Sequence, residues 1–171
     1  MSRSGHGTTA RQRFAHITTT SVRVATEADR PALLEMGRRF IESSSYRDHL
    51  AVVPQQQSAV IDALLSQGGC WVLDPPPGGG SPVGMLGVVL APLPLTGELA
   101  ALEAMWWVEP HARGGMGARR MWLHAEDWAR AHGAVWMQML QPADQPLLAD
   151  VYRRAGYVAV ETAWMKRLQE G

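Results

Sequence analysis

The chain has one cysteine in 171 residues, Cys70. A lone thiol excludes an internal disulfide and a cysteine-built metal cage. Cys70 stands beside Trp71 in an apolar run, so a buried, inert thiol is expected rather than a reactive one. Neither sign of charge is in excess, with 16 Lys and Arg against 16 Asp and Glu. Nothing global therefore draws the chain to nucleic acid or to an anionic membrane surface. No apolar run approaches the roughly 18 residues of a membrane-spanning helix. The first twenty residues hold no apolar core for a secretory signal and no acidic side chain. They read as a disordered leader, residues 1–20, ahead of a single domain over 21–171, and a cytoplasmic location is expected. His111, His124 and His132 lack metal-ligand spacing, so no metal site is expected.

Apolar side chains make up 46% of the chain and charged ones 19%, which is ordinary for a soluble globular protein. A short strand is expected at 22–24. Thr26 reads as an N-cap, with Asp29 three residues on and Pro31 in the first turn. Leu33, Leu34, Met36, Phe40 and Ile41 then give a helix its apolar face, to about residue 41. A second helix over 55–66 carries Val60, Ile61, Leu64 and Leu65 and stops at Gly68. Strands follow at 70–73, 83–90 and 99–108, the first two joined by the loop DPPPGGGSP at 74–82. Met121, Trp122, Ala125, Trp128 and Ala129 mark an amphipathic helix over 116–131. A strand at 134–140, a helix at 145–155 and a terminal strand at 157–168 complete the chain. The order β-α-α-β-β-β-α-β-α-β reads as a mixed sheet, hairpins first and then crossover helices that make the later neighbours parallel.

The segment with most chemistry is WWVEPHARGGMGA, residues 106–118. A strand there feeds a glycine-rich turn into a helix start. Unpaired backbone N–H groups and the helix dipole converge at such a turn and bind phosphate. Arg113 can add a charge-assisted contact. The turn is not a dinucleotide fingerprint, which needs glycine where Arg120 stands, and no Gly-Lys-Ser/Thr of a P-loop is present.

Four segments in order resemble the GCN5-related N-acetyltransferase (GNAT) family: VRVATEADRPALLEM, MWWVEPHARGGMGARRM, AHGAVWMQML and DQPLLADVYRRAGYVAVETAWMKRL. The resemblance covers about residues 21–168. It departs at the loop, where the family reads Arg/Gln-x-x-Gly-x-Gly/Ala. Aligned on Gly115 and Gly117, Ala112 takes the Arg/Gln place and Arg113 falls one position late, as if one residue were deleted. The resemblance implies an α/β (α+β) fold. Its central sheet is mixed and mostly antiparallel, with helices on both faces and the fourth and fifth strands splayed.

It also implies acetyl-CoA as co-substrate and transfer of acetyl to a primary amine by direct attack in a ternary complex. A small-molecule amine is the first expectation, because no strongly acidic or basic groove for a peptide is legible. A protein N-terminus or lysine is the alternative, and an acyl-CoA-binding protein without catalysis is a third. A homodimer is compatible with all three. By resemblance Arg113, Gly114, Gly115, Met116, Gly117 and Ala118 hold the pyrophosphate. The backbone of Met105, Trp106, Trp107 and Val108 runs beside the pantetheine arm, and Gln145 contacts that arm. Tyr152 is the implied general acid, against the plainer reading of a packed aromatic. Glu103 is the implied base, with Glu98 and Glu109 in competition and a solvated carboxylate as the plain reading. Tyr46 and Trp106 border the implied acceptor site, where a surface loop is equally expected around Tyr46.

Overall fold

The computed structural model describes residues 20–168; the expected leader lies almost wholly outside them. Five strands form one sheet in the order β1-β2-β3-β4-β5. They are β1 (Val22–Val24), β2 (Cys70–Leu73), β3 (Gly84–Pro92), β4 (Leu99–Val108) and β5 (Trp136–Gln138). The first four pair antiparallel, and β5 runs parallel to β4. Helices α1 (Arg30–Ser43) and α2 (Pro54–Gln67) cover one face. Leu33, Met36, Ile61 and Leu64 pack there on Val72, Met85, Met105 and Trp107. Helices α3 (Met116–Ala131) and α4 (Leu148–Arg154) cover the other. Met121, Trp122, Ala125 and Tyr152 pack there on Trp71, Leu73, Leu86 and Val88. Two apolar faces of one sheet are thus each sealed by a helical layer.

Local chemistry accounts for the boundaries. Asp29 accepts the backbone N–H of Thr26 at 2.8 Å and is clamped by both terminal nitrogens of Arg23 at 2.7 and 2.8 Å. That cluster fixes the entry into α1. Gly68, at φ +68°, closes α2 in the left-handed conformation that favours glycine. Cys70 is 1% exposed, and burial pushes its thiol up to about 12.

Two expectations are corrected. The last helix starts at Leu148 rather than at 145, because 143–147 forms turns. The terminal strand expected at 157–168 is not formed: no residue of it joins the sheet, and Val158, Val160 and Trp164 are 76%, 81% and 91% exposed. Alternation marks a strand only where a partner edge exists, and β5 offers an edge of just three residues.

Candidate active site

The site grows out of an irregularity in β4. Met105 pairs with Gly87 and Glu103 with Val88, so Ala104 is an extra residue opposite one position of β3. A bulge of this kind bends its strand and re-aims the next side chain. Glu103 is turned to the α3–α4 face, the face of Trp106. Pairing with β5 stops at the same place. Ala100, Ala101 and Leu102 pair with Trp136, Met137 and Gln138, and no β5 residue pairs with β4 from Glu103 to Val108. The two strands are splayed over that half.

Leu140, two residues past β5, spans the splay. Its N–H donates to Glu103 Oε2 at 2.9 Å, and its carbonyl accepts from the Tyr152 hydroxyl at 2.9 Å. One peptide neighbourhood therefore joins Glu103 on β4 to Tyr152 on α4. Glu103 is 9% exposed, and loss of hydration raises its carboxyl to about 7 despite the Leu140 N–H. Burial, and then the Glu103 charge, raise the Tyr152 phenol well above its ordinary 10, so the hydroxyl stays protonated. A carboxyl poised near neutrality beside a retained phenolic proton suits acid–base work.

An aromatic wall backs this pair. Trp106 lies 6.1 Å from Trp122 and 6.3 Å from Tyr152, ring to ring. Trp122 donates its indole N–H to Tyr157 at 2.8 Å, and Tyr157 donates to Glu126 at 2.9 Å. The Nε1 of Trp106 is buried without an acceptor among the described residues. Trp107 and Met105 point the other way, into the core beneath α1 and α2. Trp107 donates to Glu109 at 3.1 Å, which also binds Arg39 at 3.0 Å. Glu98 instead accepts from Trp136 at 2.9 Å.

The glycine-rich turn follows β4 directly. A single 3-10 turn, Pro110–Ala112, leads to Gly114 at φ +78° and to Gly115, the N-cap of α3. Among the described residues no side chain caps that helix, so its first N–H groups lack intrahelical or side-chain partners there. Space around Gly115 is open, with only the Ala112 carbonyl at 4.0 Å from an added Cβ. Gly117 differs. A Cβ there would meet the Leu73 methyls at 2.6 and 2.7 Å, so this glycine serves close packing of α3 on the sheet. Arg113 turns back, donating Nε to the Val108 carbonyl at 2.8 Å with its guanidinium 4.7 Å over Trp107. Arg119 and Arg120 are exposed in the first turn of α3. Among the described residues, no carboxylate pairs with them or with Arg113.

The remaining expected residues are more scattered. Gln145 is half-buried in the turn before α4, and Met116 and Ala118 begin α3. Tyr46 packs on Phe40 at 5.9 Å after α1. Nearby, Arg38, Ile41, Glu42, Arg47 and Leu50 line an open groove of about 490 Å³. The structure brings Glu103, Tyr152 and Trp106 together and leaves Tyr46 apart from their contacts. Sequence reading missed Leu140, whose role is carried by backbone atoms, and missed Arg119 and Arg120. A signal for the arginines was present: no Asp or Glu stands three or four residues from either.

Comparison with known proteins follows the same lines. The family model described as Acetyltransferase (GNAT) family matches residues 36–157. No curated protein sequence matches. A predicted acetyltransferase with acetyl-CoA from Clostridium acetobutylicum superposes at TM-score 0.69 and 13% identity, over 88% of this chain and 97% of that one. The acetyltransferase of Trypanosoma brucei gives 0.64 and 16%, over 88% and 100%. AAC(6')-Iy in complex with the bisubstrate analogue CoA-S-monomethyl-acetylneamine gives 0.64 and 13%, over 88% and 99%. At these identities the likeness is one of fold. No helix of the described residues is long and apolar enough to cross a membrane.

Proposed function

The chain belongs to the acetyltransferase (GNAT) family, and on that premise we propose that it moves the acetyl group of acetyl-CoA to a primary amine of a small molecule, by direct attack in a ternary complex. The observation that carries the reading is the splayed half of β4, which leads straight into the uncapped start of α3. Unpaired strand backbone accepts an extended partner such as a pantetheine arm, and an uncapped helix start accepts phosphate. Open space at Gly115 and three arginines that, among the described residues, pair with no carboxylate suit the anionic end of the coenzyme.

Acetyl-CoA supplies an activated acyl thioester and a thiolate leaving group. The chain supplies position and proton handling. Glu103 Oε2 is held by the Leu140 N–H, and the carboxylate takes a proton from the acceptor's ammonium, directly or through a water it orients, which frees the amine lone pair to attack the thioester carbonyl. Tyr152, held protonated by burial, gives its proton on the leaving side. Backbone N–H groups of β4 near Trp107 polarise the acyl carbonyl. A small amine is favoured over a strongly charged peptide because 16 basic and 16 acidic side chains balance.

Release of free CoA from acetyl-CoA, measured across an amine panel, tests the reaction. Aminoglycosides belong in that panel, because AAC(6')-Iy was solved with an acetylneamine analogue. Calorimetry tests the coenzyme site. Gly115→Glu puts a carboxylate where phosphate is expected, at a position with room for it, so acetyl-CoA binding should be lost and the melting temperature kept. Unchanged affinity in the folded variant would remove this turn from the site.

A further inference from the structure

Trp107, Trp122 and Trp136 each donate an indole N–H to an oxygen, at 3.1, 2.8 and 2.9 Å. Trp106 does not. Among the described residues, its Nε1 is the one buried side-chain polar atom with no acceptor. An indole N–H only donates, and a buried donor left without a partner costs ~1–3 kcal/mol. Folded proteins seldom carry that cost without a reason.

The position of Trp106 supplies the reason. It stands on β4 beyond the last pair with β5. It shares its face with Glu103, and its ring neighbours the Tyr152 ring. Met137 and Met139 pack on the same cluster from the β5 side. These are flexible side chains that repack readily around an entering group. We propose that the Trp106 indole N–H is a ligand donor, hydrogen-bonding a carbonyl oxygen of the acyl-pantetheine arm of acetyl-CoA. The inference rests on the coenzyme reading above. That arm carries two sources of the same acceptor, the thioester carbonyl and the pantetheine amides. At the thioester, the donor would strengthen as charge develops on the oxygen.

Trp106→Phe removes the donor and keeps the aromatic ring. Three ligands separate the sources: acetyl-CoA has both carbonyl types, CoA has the amides alone, and ADP has neither. The free protein loses an unpartnered donor and not a bond, which offsets part of the packing lost with the smaller ring, so the variant should stay folded with only a modest fall in melting temperature. Affinity for acetyl-CoA should fall about tenfold, the worth of one hydrogen bond, while affinity for ADP stays as in the parent. Loss confined to acetyl-CoA assigns the donor to the thioester, and equal loss with CoA assigns it to an amide. Trp106→His, which returns a ring N–H, should recover part of the affinity. In the parent protein, the indole N–H resonance of Trp106 should move downfield on binding acetyl-CoA, a readout that does not depend on any variant folding. Parent-like acetyl-CoA affinity in Trp106→Phe, an unmoved indole resonance, or equal weakening of ADP overturns the assignment. A parent protein that binds none of the three ligands refutes the coenzyme reading itself, and the donor role with it.

Discussion

Replacing Glu103 with glutamine should make the protein more stable and less active at the same pH. Burial lifts the Glu103 carboxyl from an ordinary 4.5 to about 7. Between those values the folded state holds a proton that the unfolded state has lost, so stability falls as pH rises. Below the lower value both states are protonated and the group costs nothing. Above the upper value the folded state carries a buried charge. The gap of about 2.5 pH units, at about 1.4 kcal/mol per unit, amounts to about 3 kcal/mol. Glutamine keeps an oxygen for the Leu140 N–H and cannot ionise. Glu103→Gln should therefore match the parent at pH 4.5 and exceed it by about 3 kcal/mol at pH 8, or about 6–12 °C in melting temperature. Chemistry should move the other way. A base that cannot take a proton should lose about tenfold or more in kcat/KM, together with the inflection near pH 7. Urea unfolding at pH 4.5, 6 and 8, beside kcat/KM over the same range, reads both arms. A stability difference that does not change with pH would refute the burial argument. An intact inflection at full activity would pass the base role to Glu98, Glu109 or bulk water.

Two further substitutions separate packing from chemistry. Tyr152→Phe removes the bond to the Leu140 carbonyl and should lower turnover about 100-fold with little change in coenzyme affinity; a turnover number within about threefold of the parent would leave Tyr152 a packing residue. Gly117→Ala forces a methyl group against Leu73, which is 1% exposed, and should cost about 1–3 kcal/mol by thermal unfolding. A parent-like melting temperature for that variant would show that Leu73 gives way.

Helices and hairpins were legible in the sequence because their signals are local. Leu33, Met36, Ile61 and Leu64 recur at helical spacing, and all four are core residues. The loop after Leu73 announced itself by four prolines and three glycines. The glycine turn was legible for the same reason, although the two glycines proved to have different roles, Gly115 facing open space and Gly117 facing Leu73. Pairing was not legible, because a strand's partner is fixed by distant residues. Residues 157–168 read as a terminal strand, yet among the described residues nothing pairs with them. The choice between Trp106 and Trp107 was equally hidden, since alternation says they face opposite ways and not which way.

The extra residue in β4 explains why the site was harder to read than the fold. Strict alternation puts Glu103 on the face of Met105 and Trp107, in the core beneath α1 and α2, where an ionisable carboxyl would have no role. The bulge at Ala104 reverses that and sets Glu103 beside Trp106. A bulge also spoils the ladder it sits in, and pairing with β5 ends at the residue before Glu103. An opened ladder leaves backbone groups that must find partners. Leu140 finds them in side chains, its N–H on Glu103 and its carbonyl on Tyr152. The two side chains proposed to move protons therefore also stand in for ladder bonds beside the splay. Removing either should loosen Leu140 as well as the chemistry. The Leu140 amide should then exchange its hydrogen faster in Glu103→Ala than in Glu103→Gln, because only glutamine still offers an acceptor.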